Sequence, residues 1–190
     1  MDLLLGIFSA FGLSASAGLN AYIPLLVVGV IGHYFPDTLR LAKPFDLLAN
    51  PWILILLGVL VIIEMVADKV PAVNHINDLI QTIVRPVAGA IAFAASANVI
   101  TDVNPVLALA CGLLVAGSVH TVKAAAVRPA VTATTGGVGN VPVSIAEDLL
   151  ATVTSVLAVV LPIIAGVLFI IFLVLVLWWW SGRKQKSQSA

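Results

Sequence analysis

Long apolar segments that contain almost no charged residue constrain the fold of this chain more than any other feature. Residues 163–180 carry no charged or hydroxyl-bearing side chain, and residues 51–63 and 105–117 are nearly as apolar. A helix rises about 1.5 Å per residue, so about 20 apolar residues cross a hydrocarbon core of ~30 Å. We therefore expect an all-α, polytopic bundle of transmembrane helices with the lipid bilayer as its surroundings.

The overall composition excludes a soluble domain and a nucleic-acid-binding protein. Hydrophobic residues make up 61% of the 190 residues and charged residues only 9%, whereas a soluble domain is roughly a quarter charged. Nine basic residues balance nine acidic ones, so no basic surface for nucleic acid is expected. The three histidines have no metal-ligand spacing, and we expect neither a metal nor a cofactor.

Six segments have the length and apolar character of membrane spans: residues 3–31, 51–67, 83–101, 105–122, 143–161 and 163–180. The first is interrupted by Gly18, Asn20 and Pro24, which predicts a bent or broken helix. Its beginning resembles a signal peptide, but Asp2 and not a basic residue precedes it, which favours a retained helix. Since only Pro162 and Gly166 interrupt residues 143–180, one long tilted helix is the alternative to the last two spans.

The distribution of basic residues favours six spans with both termini in the cytoplasm, because basic residues accumulate in cytoplasmic segments. Residues 1–182 would form one transmembrane domain, and residues 183–190 a short, polar, basic cytoplasmic tail. The segments on the inner side would then carry seven basic residues and those on the outer side two. The inner ones are Lys69, Arg85, Lys123, Arg128, Arg183, Lys184 and Lys186, and the outer ones are Arg40 and Lys43.

A weak internal repeat suggests a parallel duplication of a helical hairpin. Residues 58–61 with Lys69 resemble residues 112–115 with Lys123, and residues 70–82 resemble residues 141–152. Each copy would contain a helix, a polar cytoplasmic loop and a second helix. The second loop includes the glycine-rich segment 132–142, which predicts irregular backbone, either as a re-entrant element or as a flexible loop. Ser144 and Glu147 form a capping-box pattern that predicts the start of the next helix there.

The scarce charged residues gather near the cytoplasmic ends of the predicted spans. Glu64 and Asp68 lie four residues apart and so on one helical face, and Glu64 is the deepest of the acids. Charged groups inside a membrane protein are costly and mark ion or solute pathways. The candidate pathway residues are Glu64, Asp68, Lys69, Asp78, Arg85, His120, Lys123, Arg128, Asn140, Glu147, Asp148 and Asn20. The alternative is a structural lattice of salt bridges that ties helix ends together.

Several of these residues stand in segments that resemble a known family. The chain resembles the bacterial integral-membrane domain-of-unknown-function family 4126 over nearly its whole length, and the resemblance implies a small multi-pass protein of the bacterial inner membrane. The chain departs from the family pattern at two positions. Family members often carry a basic residue where this chain has Asn20, and an acid where it has Asn74. The resemblance rests on residues 17–24 (AGLNAYIP), Glu64, 67–71 (ADKVP), Asp78, Arg85, Pro86, Gly89, His120, Lys123, Arg128, Asn140, Pro142, Ser144, Glu147 and Asp148.

Three functions remain open from the sequence. The first is a channel or secondary transporter for a small solute or a proton, in which Glu64 and Asp68 carry the proton. The second is a non-catalytic scaffold or assembly factor, and the small residues 14–18 would allow either internal packing or a homo-oligomer. The third is an enzyme acting on a lipid or isoprenoid, with Mg²⁺ between Asp68, Asp78 and Asp148. It is the least favoured because no complete catalytic set is present.

Overall fold

The computed structural model describes residues 3–69, 71–97 and 104–164, together with 167, 170, 171 and 174. The side chains of residues 3, 4, 71–76, 78 and 97 are outside this set. All regular structure within it is helical, which confirms the all-α prediction. A 3-10 turn (Phe45–Ala49) precedes α3, and a π-helical turn (Lys123–Val127) joins α5 to α6. The helices are α1 (Leu3–Leu19), α2 (Tyr22–Tyr34), α3 (Pro51–Ala67), α4 (Pro71–Ala97), α5 (Pro105–Val122), α6 (Arg128–Thr135) and α7 (Asn140–Val160).

The polarity of the bundle is the reverse of that of a soluble protein. Large apolar side chains such as Ile62 and Leu114 are mostly exposed, whereas charged side chains such as Glu64 and Arg85 are buried. Within the part of the chain that the structure describes, three helical segments are long and apolar enough to cross a bilayer: Leu79–Ser96, Pro105–Thr135 and Asn140–Val160. α1, α2 and α3 are shorter but equally apolar. The chain is therefore a helical membrane protein with lipid-facing apolar walls.

Two helices begin with the same N-terminal capping motif. The side chain of Asn50 accepts a hydrogen bond from the backbone N–H of Trp52, and that of Asn104 accepts one from Val106, both at 2.9 Å. In each case the next residue is proline, whose missing N–H is not needed in the first turn. A lysine follows each asparagine after 19 residues. The two helices, α3 and α5, thus share a start and a lysine at the same distance from it, as the predicted duplication expects, but α3 ends in a turn and α5 continues into the π-helical turn.

The first predicted span is broken, as its sequence indicates. α1 ends at Leu19, and α2 starts at Tyr22. The side-chain Oδ1 of Asn20 accepts hydrogen bonds from the backbone N–H groups of Tyr22 and Ile23 at 3.2 and 3.1 Å. Pro24 has no N–H to donate to residue 20, so a continuous helix would lack a bond at this point. Asn20 therefore ends one helix and caps the next.

Three predictions about loops are wrong. Residues 71–82, expected as a polar loop, form the first turns of α4. In the segment 132–142, only the turn 136–139 is irregular, with Gly136 and Gly137 at φ values of 62° and 92°, which glycine tolerates. α7 already begins at Asn140, so Ser144 lies inside the helix and does not open it. Polar, hydroxyl-bearing and glycine residues favour loops by composition, but in these three segments most of them are accommodated in helices.

The apolar run 143–180 is interrupted at Leu161. This residue has φ −133° and ψ 63°, and α7 ends before it. Proline disfavours helical backbone in the residue that precedes it, so Pro162 explains the break. One continuous helix over residues 143–180 is therefore excluded. The predicted sixth span lies largely outside the described residues and the tail 183–190 lies wholly outside them, so the count of six stays a prediction.

Small residues bring α1, α4 and α5 into close contact. A Cβ added at Gly112 would lie 2.5 Å from the carbonyl oxygen of Gly89, and one added at Gly18 would lie 2.6 Å from that of Ala116. Ser14 donates a 2.7 Å hydrogen bond to the carbonyl oxygen of Gly112. We call this region, formed by Ser14, Gly18, Gly89, Gly112 and Ala116, the small-residue seam. Within the described bundle, the small residues 14–18 thus serve internal packing.

Candidate functional site

Charged side chains from several helices meet inside the bundle. They come from α3 and the turn after it, from α4, from the π-helical turn, from α6 and from α7. All except Lys69 are more than nine-tenths buried. Because an unpaired charge is costly in such an interior, acids and bases have to neutralise one another. We call this set the ion-pair cluster, and its members are Glu64, Asp68, Lys69, Arg85, Lys123, Arg128, Glu147 and Asp148.

Asp68 is the residue on which the cations of the cluster converge. Its Oδ2 lies 3.4 Å from Nη2 of both Arg85 and Arg128 and 3.6 Å from Nζ of Lys123. Its other oxygen accepts a 2.7 Å hydrogen bond from Asn77. Burial alone raises the pKa of the Asp68 carboxyl, but Lys123, Arg85 and Arg128 outweigh it and hold that pKa below its usual value. Asp68 is therefore the firmly ionised member of the set.

Glu64 is held by Arg85 and by the start of a helix. Nη2 and Nε of Arg85 lie 2.9 and 3.2 Å from Oε1 of Glu64. The backbone N–H of Ala21, at the break between α1 and α2, donates to the same carboxylate at 3.2 and 3.4 Å. The N-terminal end of α2 thus faces a buried negative charge, as the helix dipole favours.

The contacts of His120 define its tautomer. Nη1 of Arg85 lies 3.2 Å from Nδ1 of His120, and an arginine nitrogen can only donate. His120 therefore accepts at Nδ1 and carries its proton on Nε2, which lies 3.2 Å from Oγ1 of Thr82. His120 thus connects Arg85 of the cluster to Thr82, three residues earlier on α4.

Asp148 connects the cluster to the helix break and to the surface. Asn20 donates from Nδ2 to Oδ1 of Asp148 at 3.0 Å, while the same side chain caps α2 through its oxygen. Nζ of Lys69 lies 3.3 Å from Oδ2 of Asp148, and the Lys69 side chain is 30% exposed. Lys69 is the most exposed member of the cluster, so its pair with Asp148 is where the cluster comes closest to the surroundings.

The π-helical turn Lys123–Val127 allows two cations to face the same carboxylate. In an α-helix, residues five apart point about 140° away from each other. The wider turn brings them to one side, so that Lys123 and Arg128 lie 2.8 and 3.0 Å from the same Oε2 of Glu147. Lys123 also donates to the carbonyl oxygen of Leu19, at the end of α1. Single π-helical turns of this kind occur frequently at functional sites.

With this geometry in place, comparisons with known proteins add one finding. The sequence pattern of the family described as "Domain of unknown function (DUF4126)" matches residues 7–182. The chain belongs to the DUF4126 family. No curated protein and no solved structure matches the chain. The predicted family is thus confirmed, and it brings no assigned activity to this DUF4126 protein.

Of the twelve residues that the sequence singles out, eight form the cluster, and Asn20 and His120 hydrogen-bond to it. Asn140, at the start of α7, donates from Nδ2 to Oγ1 of Thr132 at 2.9 Å, beside the turn 136–139. Asp78 lies on α4 of this DUF4126 chain, but its side chain is outside the described residues. The placement of Asp78 in a solute pathway therefore stays a prediction.

Part of the polar face of α4 was not predicted from the sequence. Asn77 bonds Asp68, and Gln81 is buried one turn further on, before Arg85. The three residues are spaced by four, which places them on one helical face. This spacing would have revealed them if residues 71–82 had been interpreted as helix.

The arrangement of the acids in the DUF4126 chain favours ion pairing over metal binding. No group of three acid, histidine or cysteine side chains is placed to hold a metal ion among the side chains that the structure describes. The carboxylates of Asp68 and Asp148 are each bound by cations and amides. Since Asp78 is not described, the Mg²⁺ site of the enzyme hypothesis stays a prediction.

Proposed function

We propose that this protein is a small proton-coupled secondary transporter or channel of the bacterial inner membrane, and that the ion-pair cluster is its binding and proton-transfer site. In this proposal both termini are cytoplasmic, and the cluster lies near the inner face of the membrane. Of the two acids that the sequence proposes as proton carriers, Glu64 takes up and releases the proton, whereas Asp68 stays ionised and holds the surrounding cations. Lys69, Arg85 and His120 control the charge of Glu64. The solute is a small polar molecule.

One observation carries the proposal: four acids and four bases lie together in the interior of a bundle whose outer walls are apolar. A buried ion pair is weak evidence for stability, because well-packed hydrophobic residues of similar volume are often as stabilising or more so. Ionisable groups in the interior of membrane proteins instead mark ion pathways and proton relays. A cluster of this size therefore supports a role in moving charge.

The interrupted helices beside the cluster support the same function. Many transporters bind their substrate where a transmembrane helix is discontinuous and its free N–H groups point at an anionic group. Here the break between α1 and α2 presents the N–H of Ala21 to Glu64. The π-helical turn after α5 supplies Lys123 from another side. Helix ends and turns of this kind can rearrange without unfolding the rest of the bundle.

The proposal is tested by proton flux into liposomes that contain the purified full-length protein and a pH-sensitive dye. We expect flux above that of protein-free liposomes and a strong reduction in Glu64→Gln, which cannot exchange the proton. Asp46→Asn, a matched change of an exposed acid, should transport like the wild type. The double variant Glu64→Gln with Arg85→Met, which removes one acid and one base together, provides a second test if Glu64→Gln alone does not fold. Wild-type flux in a folded Glu64→Gln protein would remove the proposed role.

A scaffold or assembly factor is the second candidate, and the extensive pairing within the cluster favours it. Both carboxylate oxygens of Asp68 and of Asp148 have partners, and Glu64 has Arg85 and Ala21. A structural lattice would show such saturation. This function predicts no flux by the wild-type protein and a stable, stoichiometric partner after extraction in a mild detergent.

A further inference from the structure

Three residues on α6 and α7 have buried side-chain polar atoms without partners. Among the residues that the structure describes, Nε and Nη1 of Arg128, Oγ of Ser144 and Oδ1 of Asn140 have no hydrogen-bond partner, and neither has Oε1 of Gln81. Arg128 is 6% exposed and Ser144 is completely buried. Buried polar groups are hydrogen-bonded in the great majority of cases. The unpartnered groups of Arg128 and Ser144 can donate, so these two residues indicate an occupant that accepts hydrogen bonds, whereas the amide oxygens of Asn140 and Gln81 can only accept.

The pairing of α6 with α7 places these atoms along one interface. Arg128 on α6 pairs with Glu147 on α7 at 3.0 Å. Ser144 lies three residues before Glu147 on the same buried face of α7, and Asn140 lies one further turn back. Asn140 in turn bonds Thr132, one turn after Arg128 on α6. Arg128, Ser144 and Asn140 thus line the α6–α7 interface.

We propose that the α6–α7 interface is the binding site for a small oxyanion, which is taken up together with one proton. This inference rests on the proposed transport function and names its substrate class. Nη2 of Arg128 donates to Asp68 and Glu147, whereas the N–H groups at Nε and Nη1 have no partner. A planar guanidinium suits carboxylate and phosphate oxygens, and the hydroxyl of Ser144 supplies a further donor.

Charge balance links the oxyanion to the proton. The four bases and four acids of the ion-pair cluster sum to zero charge. A bound monoanion would leave one uncompensated negative charge in an interior of low dielectric constant, which is costly. One proton on a neighbouring carboxylate removes that charge. Glu64, to which the proposed transport function assigns the proton, is connected to Arg128 through Arg85 and Asp68.

Binding can be measured on the purified full-length protein in detergent. A ligand that binds only the folded state raises the unfolding temperature in a saturable way. The probes are sodium lactate, a small carboxylate, and sodium phosphate, each compared with sodium chloride at the same ionic strength and at mildly acidic pH. We expect lactate or phosphate to raise the unfolding temperature more than chloride does, and the effective probe to identify the class of oxyanion.

Three variants locate the binding site. Arg128→Lys keeps the positive charge opposite Glu147 but removes the surplus donors, and Ser144→Ala removes an unpaired hydroxyl. Both should weaken the apparent affinity about tenfold or more, as expected for the loss of a charge-assisted hydrogen bond. Ser155→Ala is the matched control, because Ser155 is equally buried on α7 but is bonded to Ser16. Its affinity should equal that of the wild type.

The outcomes separate this inference from the transport function. Equal effects of all three salts, no effect of any, or unchanged affinity in Ser144→Ala would overturn the oxyanion site. If Arg128→Lys does not fold, Ser144→Ala decides, since its hydroxyl has no protein contact to lose. Proton flux without oxyanion binding would overturn the site and leave transport standing. Oxyanion binding without proton flux would overturn the transport function and leave the binding site standing.

Discussion

The small-residue seam and the ion-pair cluster lie in the same interior but differ in what fills the space between the helices. In the seam, Gly89 and Gly112 allow the backbones of α4 and α5 to touch. One turn along α4, Arg85 fills the space between helices with a long charged side chain. The seam gains stability from close packing, whereas the cluster has to offset the cost of burying eight charges. The seam therefore stabilises the bundle, and the cluster is the part of the interior to which we assign the proposed function.

The largest effect should follow from removing one charge of the cluster. Arg85→Ala leaves Glu64 buried opposite a neutral residue, and such broken pairs cost about 3–5 kcal/mol. Thermal or denaturant unfolding in detergent would measure the loss. Arg40→Ala, at an exposed arginine, is the matched control and should change the stability by less than about 0.5 kcal/mol. Equal effects of the two variants would show that the cluster does not hold tightly paired charges.

A smaller effect is expected from adding one methyl group to the small-residue seam. The new Cβ in Gly112→Ala would meet the backbone of Gly89, so α4 and α5 must separate, at a cost of about 1–3 kcal/mol. Gly58→Ala is the matched control on α3, where nothing lies within 4 Å of the added Cβ. That change should be neutral or slightly stabilising, because alanine favours helix. A neutral Gly112→Ala would show that the seam is not closely packed.

The smallest effect is a gradual loss of stability in acid. The pKa of Asp68 is held below its usual value of 3.8 in the folded protein. Its contribution is therefore complete above about that pH and is lost as the pH falls toward the lower folded pKa. Asp68→Asn should flatten this part of the curve of unfolding free energy against pH. A curve of unchanged slope in Asp68→Asn would contradict the convergence of three cations on this carboxylate.

The sequence predicts the helices best where local signals agree. Asn50, Pro51 and the apolar run after them predict the bounds of α3 as the structure has them. The break near Asn20 is likewise local, since Asn20 caps α2 and Pro24 prevents a continuous helix. By contrast, the polar face of α4 resembles a loop when judged by composition, although its spacing of four residues is helical.

The candidate site was predictable as a set of residues but not as a geometry. Charge scarcity in an apolar chain singles out Glu64, Arg85 and Asp148 without any structure. Their partners lie at sequence separations from 21 positions, for Glu64 and Arg85, to 128 positions, for Asn20 and Asp148, and no local pattern predicts these contacts. The π-helical turn Lys123–Val127 has no distinctive sequence, since its lysine, three alanines and valine suit an ordinary helix.

The central claim is that the ion-pair cluster serves charge movement and not stability. A double variant, Glu64→Gln with Arg85→Met, tests it most directly. The change removes one acid and one base together, keeps an acceptor for the N–H of Ala21 and leaves the net charge unchanged. Unfolding and proton flux into liposomes would be measured on the same preparation. We expect a protein that folds about as stably as the wild type but whose flux falls to that of protein-free liposomes. Flux at the wild-type rate in the folded double variant would contradict the account.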